Sequence, residues 1–202
     1  MCDDLRKIEL RGQSGEAMIW VALAGPSGAG KDSLLDRVRA ELGENPRFHF
    51  ARRTITRPAG AGGEEHEAVS IEEFQSLAAQ DAFILTWQAH GLHYGIRRIE
   101  APEDRLAVIS VSRTVLHAAG RIRRLRVVEV TAPRALLAER LARRGRETEE
   151  QIQARLDREM GLPEGLDVVT IRNDGTIDEG AARLRHVLDA TASSCMEGLF
   201  RP

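Results

Sequence analysis

The stretch IWVALAGPSGAGKDSLL, residues 19–35, decides the fold of this chain. Its first part completes an apolar run, Met18–Ala24, which is typical of a buried strand. The glycines and the lysine that follow have the spacing G-x-x-x-x-G-K of a phosphate-binding loop, and apolar residues at helical spacing resume at Leu34. Such a loop turns backbone N–H groups toward a polyphosphate, and the helix behind it adds its positive end. A glycine-rich turn without a ligand is the alternative.

The loop predicts which residues bind ATP. Lys31 is expected to reach the β- and γ-phosphates, because that is where the lysine of this motif lies. The predicted nucleotide-binding set from this stretch is Gly25, Pro26, Ser27, Gly28, Ala29, Gly30, Lys31, Asp32 and Ser33.

Asp32 departs from the usual motif, in which a serine or threonine offers its hydroxyl to Mg²⁺. Carboxylate oxygens also bind Mg²⁺, so we interpret Asp32 as a metal ligand, either directly or through water. A nearby strand candidate ends in Ser110 and Ser112, at a point where many phosphate-loop proteins carry an acidic residue. The hypothesis is that the metal-directed carboxylate has moved from that strand to the loop. A degenerate loop that binds weakly is the alternative.

Apolar strands alternate with helices along much of the chain. Strands are predicted at Leu106–Val111, Leu125–Val130 and Leu166–Ile171, each followed by a helical pattern. This alternation predicts an α/β fold, with a parallel sheet covered by helices on both faces. Residues 55–100 do not follow this alternation of strands and helices and are predicted to form a separate lobe. Phe48–Thr54 is predicted to be one short strand.

Composition excludes several classes of protein. The apolar and charged fractions, 42% and 30%, are those of an ordinary globular domain, and the net charge of −2 argues against a dedicated nucleic-acid binder. Cys2 and Cys195 are the only cysteines, so neither a disulfide framework nor a zinc site is expected. The chain shows neither a secretory signal nor an apolar run of membrane-spanning length. We therefore expect a cytoplasmic protein that has no nucleic-acid or membrane partner.

Further motifs occur in a fixed order. They are Lys31-Asp32-Ser33, Thr56-Arg57, Gly63-Glu64-Glu65-His66, the stretch WQAHGLHYG from Trp87 to Gly95, and Arg144-Gly145-Arg146-Glu147. Over about residues 18–190 this pattern resembles the guanylate-kinase-like branch of the P-loop kinases. Within that branch it is most similar to the ribose 1,5-bisphosphate phosphokinases of phosphonate catabolism.

The resemblance implies a P-loop NTPase fold with a small acceptor-binding lobe and an arginine-rich lid. It implies ATP and Mg²⁺ as cofactors, and transfer of a phosphoryl group to ribose 1,5-bisphosphate to give 5-phosphoribosyl 1-diphosphate. The implied parts are a kinase domain over residues 18–190, an acceptor lobe over about 55–100 and a lid over about 140–160. Residues 1–17 are expected to be a flexible extension, and 191–202 a C-terminal tail.

The resemblance also implies roles for individual residues. Catalysis would fall to Lys31, Arg57, Arg144 and Arg155, and the adenine would contact Asn173. The acceptor would be bound by Arg57, His66 and Tyr94. Arg113, at the end of a predicted strand, is a candidate for the second phosphate of the acceptor, because ligands gather at the carboxyl ends of parallel strands.

Departures from true guanylate kinases count against guanine as the acceptor. The glutamate that binds the guanine edge in those enzymes aligns here with Leu85 or Thr86. A second phosphate-binding arginine is missing, and His66 stands where a tyrosine is expected. A polar base left unpaired in an apolar site binds poorly. Two alternatives stay open: a nucleoside monophosphate kinase of altered specificity, and a guanylate-kinase-like binding module without catalysis. The oligomeric state also stays open, including a homodimer.

Overall fold

The computed structural model describes residues 19–59, 65–89, 91–143, 145, 148–157 and 161–199, with side chains up to 194. The strands of this part are β1 (Trp20–Ala24), β2 (Phe48–Phe50), β3 (Arg53–Ile55), β4 (Glu67–Ala68), β5 (Phe83–Ala89), β6 (Leu92–Arg97), β7 (Leu106–Ser110), β8 (Leu125–Thr131) and β9 (Asp167–Arg172). The helices are α1 (Lys31–Leu42), α2 (Ile71–Ala79), α3 (Leu116–Ile122), α4 (Arg134–Arg143), α5 (Glu149–Asp157) and α6 (Ile177–Leu199). None of the helices described is long and apolar enough to cross a membrane.

The main sheet has the strand order β2-β7-β1-β8-β9, and every pairing in it is parallel. The predicted α/β fold with a parallel sheet is therefore confirmed. Because β1 is central, its carboxyl end and the loop that follows lie in the middle of the sheet edge, where ligands bind in folds of this kind.

Both faces of the main sheet are covered, as its sequence pattern predicts. Val21 and Leu23 of β1 pack into a core shared with α1, α4, α5 and α6. Trp20, Ala22 and Ala24, which alternate with them, pack into a second core with α3 and the smaller sheet. A strand with apolar residues on both faces is stable only between two layers, which explains the uninterrupted apolar run before the loop.

The smaller sheet forms the predicted separate lobe, with the strand order β4-β3-β6-β5. Its β3, β6 and β5 are antiparallel neighbours. Helix α2 begins at Ser70, whose hydroxyl accepts the Glu73 N–H at 3.1 Å, and its Phe74 ring stacks on Phe83 at 4.6 Å. This lobe presents β3 and β6 near the phosphate-binding loop.

The single strand predicted over Phe48–Thr54 is wrong, because two strands of different sheets occupy this region. β2 pairs with β7 in the main sheet, and β3 pairs with β6 in the lobe. Between them the Arg52 N–H donates to the Glu100 carboxylate at 3.1 Å. A side-chain oxygen therefore takes the place of a neighbouring strand's carbonyl between the two strands. The connection between the two sheets is therefore only two residues long.

The predicted start of a tail at residue 191 is also wrong, because α6 continues to Leu199. Thr191 and Ala192 are buried, and the Thr191 hydroxyl accepts a hydrogen bond from Arg126 of β8 at 3.0 Å. The helix extends because its apolar face still has the main sheet to pack against.

Candidate active site

The loop after β1 has the backbone shape of a phosphate-binding loop. Gly25, Gly28 and Gly30 have φ values of 140°, 85° and 87°, a range that side chains with a Cβ disfavour. A Cβ on Gly25 would lie 2.1 Å from the Val130 carbonyl oxygen, so the loop leaves the sheet in close contact with β8. Helix α1 begins directly after Gly30, which directs its unpaired N–H groups toward the loop.

Lys31 lies at the start of α1 and folds over the loop. Its Nζ donates to the carbonyl oxygens of Gly25 at 2.8 Å and Pro26 at 2.9 Å. The ammonium group therefore lies on the inner side of the loop, where the phosphates of a nucleotide would be cradled. Ser33 is exposed and Ser27 is half-buried.

Two side chains, one just after β9 and one on α4, hold the loop in place. Asn173, just after β9, donates from Nδ2 to the Ala29 carbonyl at 2.7 Å and is itself buried. Arg140 of α4 donates to the carbonyls of Gly28 at 3.4 Å and Ala29 at 3.5 Å. A Cβ on Gly30 would lie 2.5 Å from Asn173 Nδ2, so the packing is tight. Asn173, expected to contact adenine, is in a position to hold the loop instead.

We expect Asn173→Ala to destabilise the protein by about 1–3 kcal/mol, because the buried Ala29 carbonyl loses its shorter hydrogen bond and keeps only the one from Arg140 at 3.5 Å. A bracing role predicts that ATP and GTP lose affinity by the same factor, since both share the triphosphate. An adenine contact predicts that ATP alone is affected. Thermal unfolding and nucleotide titrations of the variant distinguish the two, with Asp174→Ala as the control at the exposed neighbouring position.

Asp32 lies in the first turn of α1 and its side chain is 38% exposed. Asp36 follows one turn later. Partial burial raises its pKa, the positive charge of Arg39 lowers it, and the negative charges of Asp32 and Glu65 raise it, so that the net direction is upward. Arg53 of β3 lies near Asp32, with 3.8 Å between Nη2 and Oδ1.

The strand end on the other side of β1 carries no such carboxylate. Ser110 is buried at the end of β7, and the Ser112 hydroxyl accepts the Thr114 N–H at 3.4 Å. Arg113 lies beside Glu129 of β8 at 3.9 Å, a carboxylate whose strand register places it opposite Ala24. The predicted acceptor residue Arg113 is therefore next to an acidic partner on the main sheet.

In the lobe, the structure brings Arg57 and His66 together. His66 Nε2 donates to the Arg57 carbonyl at 3.1 Å, and Arg57 Nη2 donates to His66 Nδ1 at 3.4 Å. One neutral tautomer satisfies both contacts. Tyr94 of β6 stacks on Trp87 at 5.3 Å, and its ring faces the Arg53 guanidinium at 5.6 Å.

The two positions that align with the guanine-binding glutamate of guanylate kinases are Leu85 and Thr86 of β5, and neither carries a carboxylate. Leu85 is buried in the core, whereas Thr86 points outward from β5. Within the lobe, Glu67 accepts hydrogen bonds from Thr54 and Arg97, both at 2.6 Å. Its oxygens are therefore already engaged by the protein.

The predicted lid is described in part. Arg155 lies on α5 and is half-buried, while Arg144 lies outside the described residues. Thr148 caps the start of α5, since its N–H donates to Gln151 Oε1 at 2.9 Å and its hydroxyl accepts the Gln151 N–H at 3.4 Å. Of the arginines in this region, Arg140 is the one whose described contacts reach the loop.

Several known proteins have sequences similar to this chain. Ribose 1,5-bisphosphate phosphokinase PhnN of Agrobacterium fabrum is 42% identical over 181 residues, which are 86% of this chain and 98% of that protein. The corresponding enzyme of Brucella melitensis biotype 2 is 43% identical over 178 residues, 86% of this chain and 93% of that protein. This chain belongs to the ribose 1,5-bisphosphate phosphokinase family. No family model matches it.

Some relatives in this kinase family are longer. The bifunctional ribose 1,5-bisphosphokinase-thymidine phosphorylase of Azorhizobium caulinodans is 48% identical over 159 residues, or 76% of this chain, and the chain spans 23% of that protein's length. Among solved structures, guanylate kinase from Anaplasma phagocytophilum superposes with a TM-score of 0.62 at 18% identity, covering 87% of this chain and 86% of that one. The guanylate-kinase-like fold implied by the motifs is thus confirmed.

Proposed function

We propose that this protein transfers the γ-phosphoryl group of ATP to the 1-phosphate of ribose 1,5-bisphosphate, releasing ADP and 5-phosphoribosyl 1-diphosphate. The observation that carries the proposal is a pair of arginines in the lobe, with Arg53 3.8 Å from Asp32 at the phosphate-binding loop and Arg57 hydrogen-bonded to His66. Membership of the family supports the same acceptor. The reaction would serve phosphonate degradation in the cytoplasm.

The chain's residues would act mainly by positioning. An oxygen of the 1-phosphate is already anionic at neutral pH, so its attack on the γ-phosphorus needs no general base. As the new P–O bond forms, the bond from the γ-phosphorus to the β-bridging oxygen breaks and the electrons leave with ADP. Lys31 and the loop N–H groups would hold the donor, and Arg57, His66 and Tyr94 the acceptor. Arginines of the lid would offset the charge on the transferred group.

The residues beside the loop fit a magnesium ion. The described residues contain no group of three or more histidine, cysteine or acidic side chains able to form a complete metal site. Mg²⁺ in kinases instead takes one or two carboxylates, with water and phosphate oxygens completing its shell. Asp32 would supply that carboxylate, and Asp36 and Glu65 add negative potential around it. When bound, the ion would neutralise charge on the phosphate oxygens.

A sugar bisphosphate suits the lobe better than a nucleobase. Its phosphates need cations and its hydroxyls need mixed donors and acceptors, which Arg57 and His66 provide together. Guanine would need an acceptor for its amino and imide N–H groups. Because Leu85 is apolar and Glu67 is engaged, those groups would be desolvated without partners.

The test is a coupled assay of ADP release with Mg²⁺-ATP and ribose 1,5-bisphosphate, GMP or no acceptor. We expect release with the ribose bisphosphate alone, and a product that reacts as 5-phosphoribosyl 1-diphosphate. Release with GMP would instead support the nucleoside monophosphate kinase. A protein that neither releases ADP nor gains thermal stability from Mg²⁺-ATP would be a binding module. Sedimentation of the same sample reports whether it is a homodimer.

A further inference from the structure

Arg53 is absent from the residues that the sequence motifs single out, yet it lies where the two substrates of the proposed reaction must meet. It is the first residue of β3, directly after the chain crosses from the main sheet into the lobe. Its side chain is only 13% exposed, with one Nη 3.8 Å from Asp32 of the loop. The guanidinium also lies 5.6 Å from the centre of the Tyr94 ring. One side chain thus spans from the acceptor lobe to the phosphate-binding loop.

The charge of Arg53 is costly for the protein to keep in this position. Burial lowers its pKa, and the positive charge of Arg57 lowers it further, while Asp32 acts in the opposite direction. An arginine nevertheless stays protonated at neutral pH, because its ordinary pKa is far above it. The positive charge of Arg53 is therefore held in a side chain that is only 13% exposed. A phosphate dianion is a ligand that would offset this charge.

The contact between Arg53 and Asp32 is electrostatic. At 3.8 Å the two charged groups attract each other, but they are too far apart for a direct hydrogen bond between these two atoms. The planar guanidinium fork matches the oxygens of a phosphate and can donate two parallel hydrogen bonds to it. Tyr94 supports one face of the guanidinium plane, so the side chain is held in position before any ligand binds.

We propose that Arg53 binds the reacting phosphate of the acceptor, sharing it with Arg57. This assignment rests on the proposed function, since it identifies which residue holds the 1-phosphate of ribose 1,5-bisphosphate. Its place between Asp32 and Tyr94 puts that phosphate next to the donor, as in-line transfer requires. Arg53 is then the residue that distinguishes an acceptor with a 1-phosphate from one without it.

The experiment compares wild-type protein with Arg53→Met and Arg53→Lys in titrations with two ligands, ribose 1,5-bisphosphate and ribose 5-phosphate. The second ligand lacks the phosphate in question. Arg53→Met is expected to weaken binding of the bisphosphate about 10- to 100-fold, the loss expected for charge-assisted hydrogen bonds. Its affinity for ribose 5-phosphate and for an unreactive ATP analogue should change less than about 3-fold. Arg53→Lys, which keeps the charge but not the fork, should fall between.

Arg52→Met is the matched control, because Arg52 is the adjacent arginine and its side chain is exposed. It should bind both sugar phosphates like the wild type. Thermal unfolding checks each variant, and Arg53→Lys carries the test if Arg53→Met does not fold. Unchanged bisphosphate affinity in the variants, or an equal loss for both sugars, would overturn the role of Arg53. A wild-type protein that does not bind the bisphosphate would overturn the proposed function, and this assignment with it.

Discussion

Lys31→Met is expected to lower turnover by at least about 1000-fold, because the substitution removes the positive charge that, in the proposed reaction, would face the transferred phosphoryl group. Lys31 Nζ already lies on the inner side of the loop, hydrogen-bonded to the carbonyls of Gly25 and Pro26. On nucleotide binding the phosphate oxygens would take over its protons, so the residue acts on both binding and transfer. The first measurement is single-turnover phosphoryl transfer with saturating ATP and acceptor.

The same variant has a second, independent readout. Wild-type protein should gain thermal stability with Mg²⁺-ATP, because a ligand that binds only the folded state stabilises it. Lys31→Met should lose most of this gain while unfolding at nearly the wild-type temperature without nucleotide. Arg37→Met, an exposed position of the same helix, is the control and should change neither quantity. Normal transfer by Lys31→Met would mean that the loop does not hold the donor.

The parts of the site that lie close together in sequence were predictable. The run from Met18 to Ser33 contains a strand, a loop and a helix start, and each follows from local spacing and from glycine's access to positive φ. The end of α6 was placed too early, although the four-residue step from Leu184 to Leu188 continues to the buried Ala192 and favours a longer helix.

The rest of the site depends on contacts between distant residues. Arg53 can be identified as a candidate site residue only from the structure, in which β3 pairs with β6 and the Arg53 side chain lies near Asp32 and Tyr94. Asn173 lies in a stretch whose composition is typical of a turn. Its hydrogen bond to the Ala29 carbonyl joins residues 144 positions apart. Local propensity contains no information on such pairs. The hydrogen bonds from Asn173 and Arg140 to the loop, and the contact between Arg53 and Asp32, could therefore not be predicted.

Asp32→Asn is expected to lower magnesium-dependent turnover by about 100- to 1000-fold, the scale seen when one charge-stabilising contact is removed from a transition state. Asparagine keeps the size of the side chain and one oxygen, so the loop geometry should be retained while the negative charge is lost. Binding of Mn²⁺ to the complex with ADP, followed by electron paramagnetic resonance, should weaken in parallel. Glu41→Gln removes one negative charge from the far end of the same helix and is the control.

Asp32→Ser decides whether the carboxylate itself is needed, because serine restores the hydroxyl that most phosphate-binding loops carry at this position. If the carboxylate compensates for the serines that end β7, as the structure's buried Ser110 and the capping Ser112 suggest, the hydroxyl cannot replace it alone. Asp32→Ser should then be as inactive as Asp32→Asn, while Asp32→Ser combined with Ser112→Asp should recover part of the lost metal affinity. Wild-type turnover and metal affinity in Asp32→Ser would show that the Asp32 carboxylate is not needed to bind magnesium. Its negative charge would then serve only to balance the positive charge of Arg53.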